Sequence, residues 1–116
     1  MKNSVLTFAA LQAIASANPE GFTVNAVTLQ PVTEGFAVAV AATQNSFNEA
    51  GLKKVIRYAK AHKEINAVGG WYNKENGRFY YDATIICNNL EDAKILGLVN
   101  NQIAIFNLNT LEEIRL

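Results

Sequence analysis

The stretch GGWYNKENGRFYYDA, residues 69–83, sets two short aromatic runs on either side of an Asn-Gly pair. Asn76-Gly77 is a strong hairpin signal because both residues tolerate positive φ, and the runs WYN and RFYYDATIIC read as its strands. Five of the chain's eleven aromatic residues fall in this hairpin. Side chains alternate between faces along a strand, so Phe79 and Tyr81 point one way while Tyr80 and Asp82 point the other. A core needs rings on one face only. One set is expected to pack on helices, which leaves the other partly exposed or buried in a subunit interface.

Outward from the hairpin, NSFNEAGLKKVIRYAKAHKEI at 45–65 is the clearest helix. Ser46 with Glu49 predicts a capping box, and Leu52, Val55, Ile56 and Ala59 a buried stripe. FTVNAVTL and FAVAVAAT read as strands on either side of the turn QPVTEG. Residues 1–18 read as an N-terminal helix capped by Asn3 or Ser4, with Val5, Phe8, Leu11 and Ile14 on one stripe and Asn-Pro-Glu-Gly at its end. Its opening imitates a secretory signal, but Thr7 and Gln12 interrupt the apolar run and a single positive charge precedes it, which favours the helix. After the hairpin, NNLEDAKILGLVNN predicts a helix capped by Asn88 or Asn89, QIAIFNLN a strand, and TLEEIRL an edge segment or tail. The order αββαββαβ describes one α+β domain: the helix at 1–18, then a core over 21–116 whose largely antiparallel sheet is covered by helices.

The chain has 116 residues, ten basic and ten acidic, for a net charge of zero. A nucleic-acid binder draws most of its affinity from phosphate neutralisation and carries a basic excess, so DNA and RNA are not expected partners. One cysteine, Cys87, can form neither an internal disulfide nor a multi-thiolate metal site, and cytosol is the default compartment. No apolar run reaches the roughly 20 residues that span a bilayer, so no membrane partner is expected. His62, the only histidine, lies among Lys60, Lys63 and Glu64 and is expected to be exposed and unpartnered. Cys87 ends an apolar strand, where a buried thiol is inert. Asp82 is a lone carboxylate, not a hydrolytic pair, and no phosphate loop, nucleophile elbow or metal-ligand spacing is present. These observations predict a non-enzyme without catalytic residues, metal or cofactor.

Binding has more to work with. Lys53, Lys54, Arg57, Lys60 and Lys63 make one side of the central helix basic, a pattern that also describes an ordinary solvated face. Arg78 and Arg115 add two guanidinium groups that can converge with them on one anion, within the fold or across a dimer. An exposed ring beside arginines makes a nucleotide platform, and equally a dimer contact. Most of the fourteen asparagines are caps and turn residues. Asn89 is the best placed to read a base edge, at a helix N-terminus that also attracts phosphate.

ATQNSFNEAGLKKVI at 42–56, VGGWYNKENGRFYYD at 68–82 and QIAIFNLNTLEEIRL at 102–116 resemble the first-described Thoeris anti-defence family. Its members are phage proteins that act as sponges for immune signalling nucleotides. The resemblance covers residues 21–116. It implies sequestration, without cleavage, of glycocyclic ADP-ribose made by Thoeris TIR proteins in the cytoplasm of the infected bacterium. It also implies homodimers or hexamers built from dimers, with pockets at subunit edges, and some members are similar in binding cyclic oligonucleotides at separate sites. Carried over to this chain, it implies Phe79 against a base, Asn89 on polar atoms, and Arg57 and Arg115 on phosphates. Arg78, Tyr81 and Asp82 of the same hairpin complete the candidate ligand-binding set. Only three arginines are present, so lysines would supply other phosphate contacts. Two alternatives are a module that inhibits a host protein through the aromatic hairpin, and a phosphodiesterase, which needs metal ligands that the sequence does not cluster.

Overall fold

The computed structural model describes residues 5–116. In chain order the elements are α1 (Phe8–Ala17), β1 (Gly21–Asn25), β2 (Phe36–Ala39), a 3-10 turn (Ala41–Thr43), β3 (Ser46–Phe47), α2 (Asn48–Ala61), β4 (Ala67–Asn73), β5 (Arg78–Cys87), α3 (Leu90–Val99), β6 (Ala104–Asn107) and β7 (Glu112–Arg115). The strands form one antiparallel sheet in the order β1-β4-β5-β2-β6-β7, with β3 also paired to β5. This is the α+β architecture predicted from the sequence.

The hairpin β4–β5 is the spine of that sheet. Its register pairs Trp71 with Tyr80, Gly70 with Tyr81 and Gly69 with Asp82. Chain connection is made by a four-residue loop at 74–77, in which the Gly77 N–H donates to Asn73 O at 2.8 Å. Only Gly77 takes positive φ there, at 72°. Asn76 acts through its side chain instead, its Oδ1 accepting from the Arg78 N–H at 2.9 Å.

Strand alternation sorts the sheet into two unlike faces. Phe79, Tyr81, Ala83 and Ile85 of β5 join Phe22, Val24 and Val68 under α1 and α2, around Leu11, Leu52, Val55, Ile56 and Ala59. Further along the same face, Val38, Ile105 and Cys87 pack under Ala93 and Leu96 of α3. The three described α-helices therefore lie on one side. The opposite side carries Trp71, Tyr80, Asp82, Arg78 and Phe106, and none of the described helices packs there.

Several local expectations change. Asn3 and Ser4 lie outside the described residues; α1 starts at Phe8 with Thr7 as its cap, the Thr7 Oγ1 accepting from the Ala10 N–H at 3.1 Å. Val5 precedes the helix and is exposed, while Leu11 is its fully buried residue. Ser46 forms no capping box. It is a strand residue paired with Tyr81, and α2 follows Phe47 without a side-chain cap. The first turn of α2 sits directly on Ser46, since a Cβ at Gly51 would lie 2.4 Å from the Ser46 carbonyl carbon. The Ser46 Oγ is itself buried without a hydrogen-bond partner among the described residues. The valine-rich strand stops at Ala39, and TLEEIRL ends in β7, paired with β6.

Candidate ligand cleft

On the helix-free face, one wall of a cleft of about 270 Å³ is the hairpin and the other is the segment between β2 and β3. The hairpin contributes Trp71, Asn73, Tyr80, Tyr81 and Asp82, and the facing wall Thr43, Gln44 and Asn45, with Gln102 reaching in after α3. The second wall exists because β2 and β3 do not run on continuously along β5. Where the ladder is interrupted, buried Thr43 stands in for a backbone acceptor, its Oγ1 taking the Ala83 N–H at 3.0 Å. The Ala83 carbonyl in turn accepts from the Val40 N–H at 3.0 Å. Asn100 ties this wall to the end of α3, its Oδ1 accepting from the Ala41 N–H at 3.0 Å.

The aromatic side is a row of stacked groups. Trp71 and Tyr80 lie with centroids 5.1 Å apart and planes 17° from parallel. Tyr80 meets Phe47 edge-on at 5.5 Å, and the Arg78 guanidinium sits 4.3 Å from the Phe47 centroid. The Tyr80 hydroxyl accepts from Asn76 Nδ2 at 2.8 Å, which fixes the ring. Trp71 is 47% exposed despite its stacking partner, so much of its surface remains available.

Asp82 lines the cleft beside this row. The Thr84 hydroxyl donates to its Oδ1, and Gly69 lies opposite, where a Cβ would come within 2.9 Å of the same oxygen. Oδ2 has no hydrogen-bond partner among the described residues, nor is it sealed from solvent as the Ser46 Oγ is. Burial raises the Asp82 carboxyl above the usual aspartate range, and the Thr84 hydrogen bond opposes that only in part. Among the described residues, no cation contributes to this shift.

The residues expected to bind ligand are not gathered into one site within the chain. Arg78 and Asp82 are on the helix-free face with the cleft. Phe79 and Tyr81 face the helices: Phe79 stacks on Phe22 at 6.2 Å, and Tyr81 is buried with its hydroxyl pKa pushed up by desolvation. Arg57 is on the exposed side of α2, across the sheet from the cleft. Asn89 is exposed at the start of α3, where its side chain caps the helix, Oδ1 accepting from the Asp92 N–H at 2.8 Å. Arg115 shares the face of Arg78 but lies three strands away and six residues along the register, roughly 14 Å by 20 Å. Two strong members of the cleft, Trp71 and Tyr80, are not distinguished from the other hairpin aromatics by residue type. What marks them is their cross-strand pairing, which needs the register.

The titratable singletons lie elsewhere. His62 is not free: its ring stacks on Tyr58 at 3.8 Å, with Nδ1 2.9 Å from the Tyr58 carbonyl oxygen, because both share one face of the last turn of α2. Cys87 packs under α3, and burial together with the Asp92 charge raises its thiol pKa. Among the described residues, no three His, Cys, Asp or Glu side chains group closely enough to hold a metal ion, and no helix is long and apolar enough to cross a membrane. Comparison with protein-family models, curated proteins and solved structures returns no match.

Proposed function

We propose that this chain is a non-enzymatic sponge that sequesters a cyclic nucleotide immune signal, the role implied by its resemblance to the Thoeris anti-defence family. The observation that carries the reading is the Trp71–Tyr80 stack beside a cleft whose other wall offers the amides of Gln44, Asn45 and Gln102. A ring stacked on such a platform gains ~1–3 kcal/mol, and the amides supply donors and acceptors for its edge. The ligand site in this reading is centred on Trp71, Tyr80, Arg78 and Asp82. Phe79, Asn89, Arg57 and Arg115 stay outside it within one copy of the chain, while Tyr81 lines the cleft although its ring packs with the core.

At about 270 Å³ the cleft is below the ~300–1,000 Å³ of pockets that enclose a whole drug-sized ligand. It takes one base, and hiding a complete cyclic nucleotide requires a second wall. A second copy of the chain is the proposed source, as in the dimers and hexamers that the resemblance implies. The test is to incubate the purified protein with the NAD-derived products of an active TIR enzyme, wash, heat-denature and analyse the released molecules by mass spectrometry. Intact cyclic ADP-ribose in the eluate supports the sponge. Ligand left free and unchanged contradicts it, and a linear product would mean catalysis.

A second reading, a protein-interaction module, draws on α3 rather than the hairpin. Ile95, Leu98 and Val99 of α3 are 60–72% exposed, and Ile103, which follows the helix, is 75% exposed. An α-helix apolar on both sides is usually buried on both. Stable capture of a bacterial protein, lost when Leu98 and Val99 are made acidic and unaffected by nucleotides, would favour it.

A further inference from the structure

We propose that β7 is the seam of a homodimer, in which two copies join their sheets edge to edge with Glu113 of each opposite the partner's Arg115. The inference stands apart from the nucleotide reading, because three strand steps separate β7 from the β5 side of the cleft.

The two edges of the sheet differ. β1 is covered by the loop that follows it: the Val32 N–H donates to Thr23 O at 2.9 Å, and Val24 bridges to Pro31, a residue with no N–H to offer another strand. β7 has no such cover among the described residues. The Leu116 N–H donates to Ile103 O at 3.0 Å, which makes 103 and 116 a hydrogen-bonded pair of the β6–β7 ladder. Hydrogen-bonded and non-bonded pairs alternate, so Glu112 and Ile114 also turn their backbone groups toward β6. The N–H and C=O groups of Glu113 and Arg115 therefore point outward, and no described residue bonds them. A row of free groups on an edge strand is a template for a further strand.

Charge selects the partner and its register. Glu113 and Arg115 are exposed on the helix-free face, while Ile114 between them packs near Ile105 under α3. Neither charge has an ion-pair partner among the described residues. When two copies of β7 meet antiparallel about a two-fold axis, outward-facing residues must oppose outward-facing residues. One such register sets Glu113 opposite the partner's Arg115 at two equivalent positions, with Ile114 against the partner's Ile114 on the axis. Slipping by one step either way opposes glutamate to glutamate or arginine to arginine, and like charges directly opposite are destabilising. Charges on an edge ordinarily discourage pairing. The order Glu-Ile-Arg instead makes this edge complementary to itself. The helix-covered face is served too, since Leu116 is 38% exposed and the partner's strand would lie against it.

A four-residue strand buries less than the ~1,200 Å² of a standard stable interface, so the dimer should be weak, with a Kd on the order of 10–100 µM. Sedimentation equilibrium of the full chain from micromolar to millimolar concentration measures it. Glu113→Arg and Arg115→Glu each set like charges opposite at both positions, and each should weaken the dimer on the order of 10- to 100-fold. Mixed in equal amounts, one variant presents two basic side chains and the other two acidic ones, and a heterodimer should form. The double variant Glu113→Arg with Arg115→Glu exchanges the charges and should dimerise as wild type does. A wild type that stays monomeric at millimolar concentration, a dimer that neither single reversal weakens, or two variants that stay monomeric when mixed would each overturn the proposal. Wild type alone supplies a further check should a variant not fold. Amide hydrogen exchange at Glu113 and Arg115 should slow as concentration rises, and exchange independent of concentration would equally overturn the seam.

Discussion

Replacing Gly70 with alanine puts a methyl group into the Phe22–Phe79 stack. The new Cβ would stand 2.5 Å from Phe22 Cε2 and 2.7 Å from Phe79 Cε2, against an ordinary contact of 3.4–4 Å. The rings must therefore separate by roughly 1 Å, and neither is free to do so, because both lie against Tyr81 at 6.4 and 5.2 Å between centroids. Overpacking of this kind costs ~1–3 kcal/mol. The entropy removed from the unfolded chain returns about 0.4–1 kcal/mol. A net loss of about 1–2 kcal/mol lowers Tm by roughly 4–10 °C in a domain of this size. The neighbouring change, Gly69→Ala, acts on the other face. Its Cβ meets Asp82 Oδ1 at 2.9 Å, the tip of a side chain with room to turn toward the cleft. Its Tm should stay within about 2 °C of wild type, since the entropy gain offsets a small displacement, while nucleotide binding weakens. Thermal unfolding followed by circular dichroism measures both. A Gly69→Ala variant as unstable as Gly70→Ala, or a Gly70→Ala variant as stable as wild type, would refute the assignment of the two glycines to unlike faces.

Other outcomes follow from the same geometry. The Asp82 carboxyl is raised in the folded protein, so the folded state holds its proton more tightly than the unfolded chain does. Stability is then lost as pH rises from the ordinary aspartate value of about 3.9 through the folded-state value, and the loss is complete above it. Asp82→Asn should accordingly unfold at a higher temperature than wild type at pH 7, with the difference closing below about pH 4; a pH series of thermal melts checks this, and a constant difference would contradict it. Thr43→Val leaves the buried Ala83 N–H without its acceptor and should cost about 1–3 kcal/mol in a urea titration, whereas Thr43→Ser should recover most of that. Leu98 and Val99 are more than 60% exposed on α3. If that side joins two copies, Leu98→Glu with Val99→Glu should convert an oligomer to a monomer in sedimentation velocity, and an unchanged sedimentation coefficient would place the contact elsewhere.

Local structure is largely legible in the sequence. RFYYDATIIC is β5 residue for residue, and Leu52, Val55, Ile56 and Ala59 are the buried stripe of α2. Each is a repeating pattern that a few neighbouring residues suffice to define. What could not be read was set by partners distant in sequence. Ser46 looks like a cap because Glu49 follows it, yet pairing with Tyr81 makes it a strand residue. Nothing local to the Gly69–Gly70 pair tells that one glycine clears space for Phe22 and the other for Asp82. Alternation correctly separated Phe79 and Tyr81 from Tyr80 and Asp82, but not which pair the helices would cover. The candidate site was affected most. Phe79 and Tyr81 went to the core, and the cleft formed around Asp82 with Trp71, whose position beside Tyr80 depends on strand register.

The place where a nucleotide touches the protein is the decisive observable. A two-dimensional NMR titration of labelled protein with a purine nucleotide would locate it. The expected result is a set of shifts at Trp71, including its indole N–H, and at Tyr80, Asp82, Gln44, Asn45 and Gln102, with the outer side of α2 and the start of α3 unchanged. Shifts centred instead on Arg57, Asn89 or Arg115 would contradict the cleft as the binding site, and a spectrum that does not move at all would contradict nucleotide binding itself.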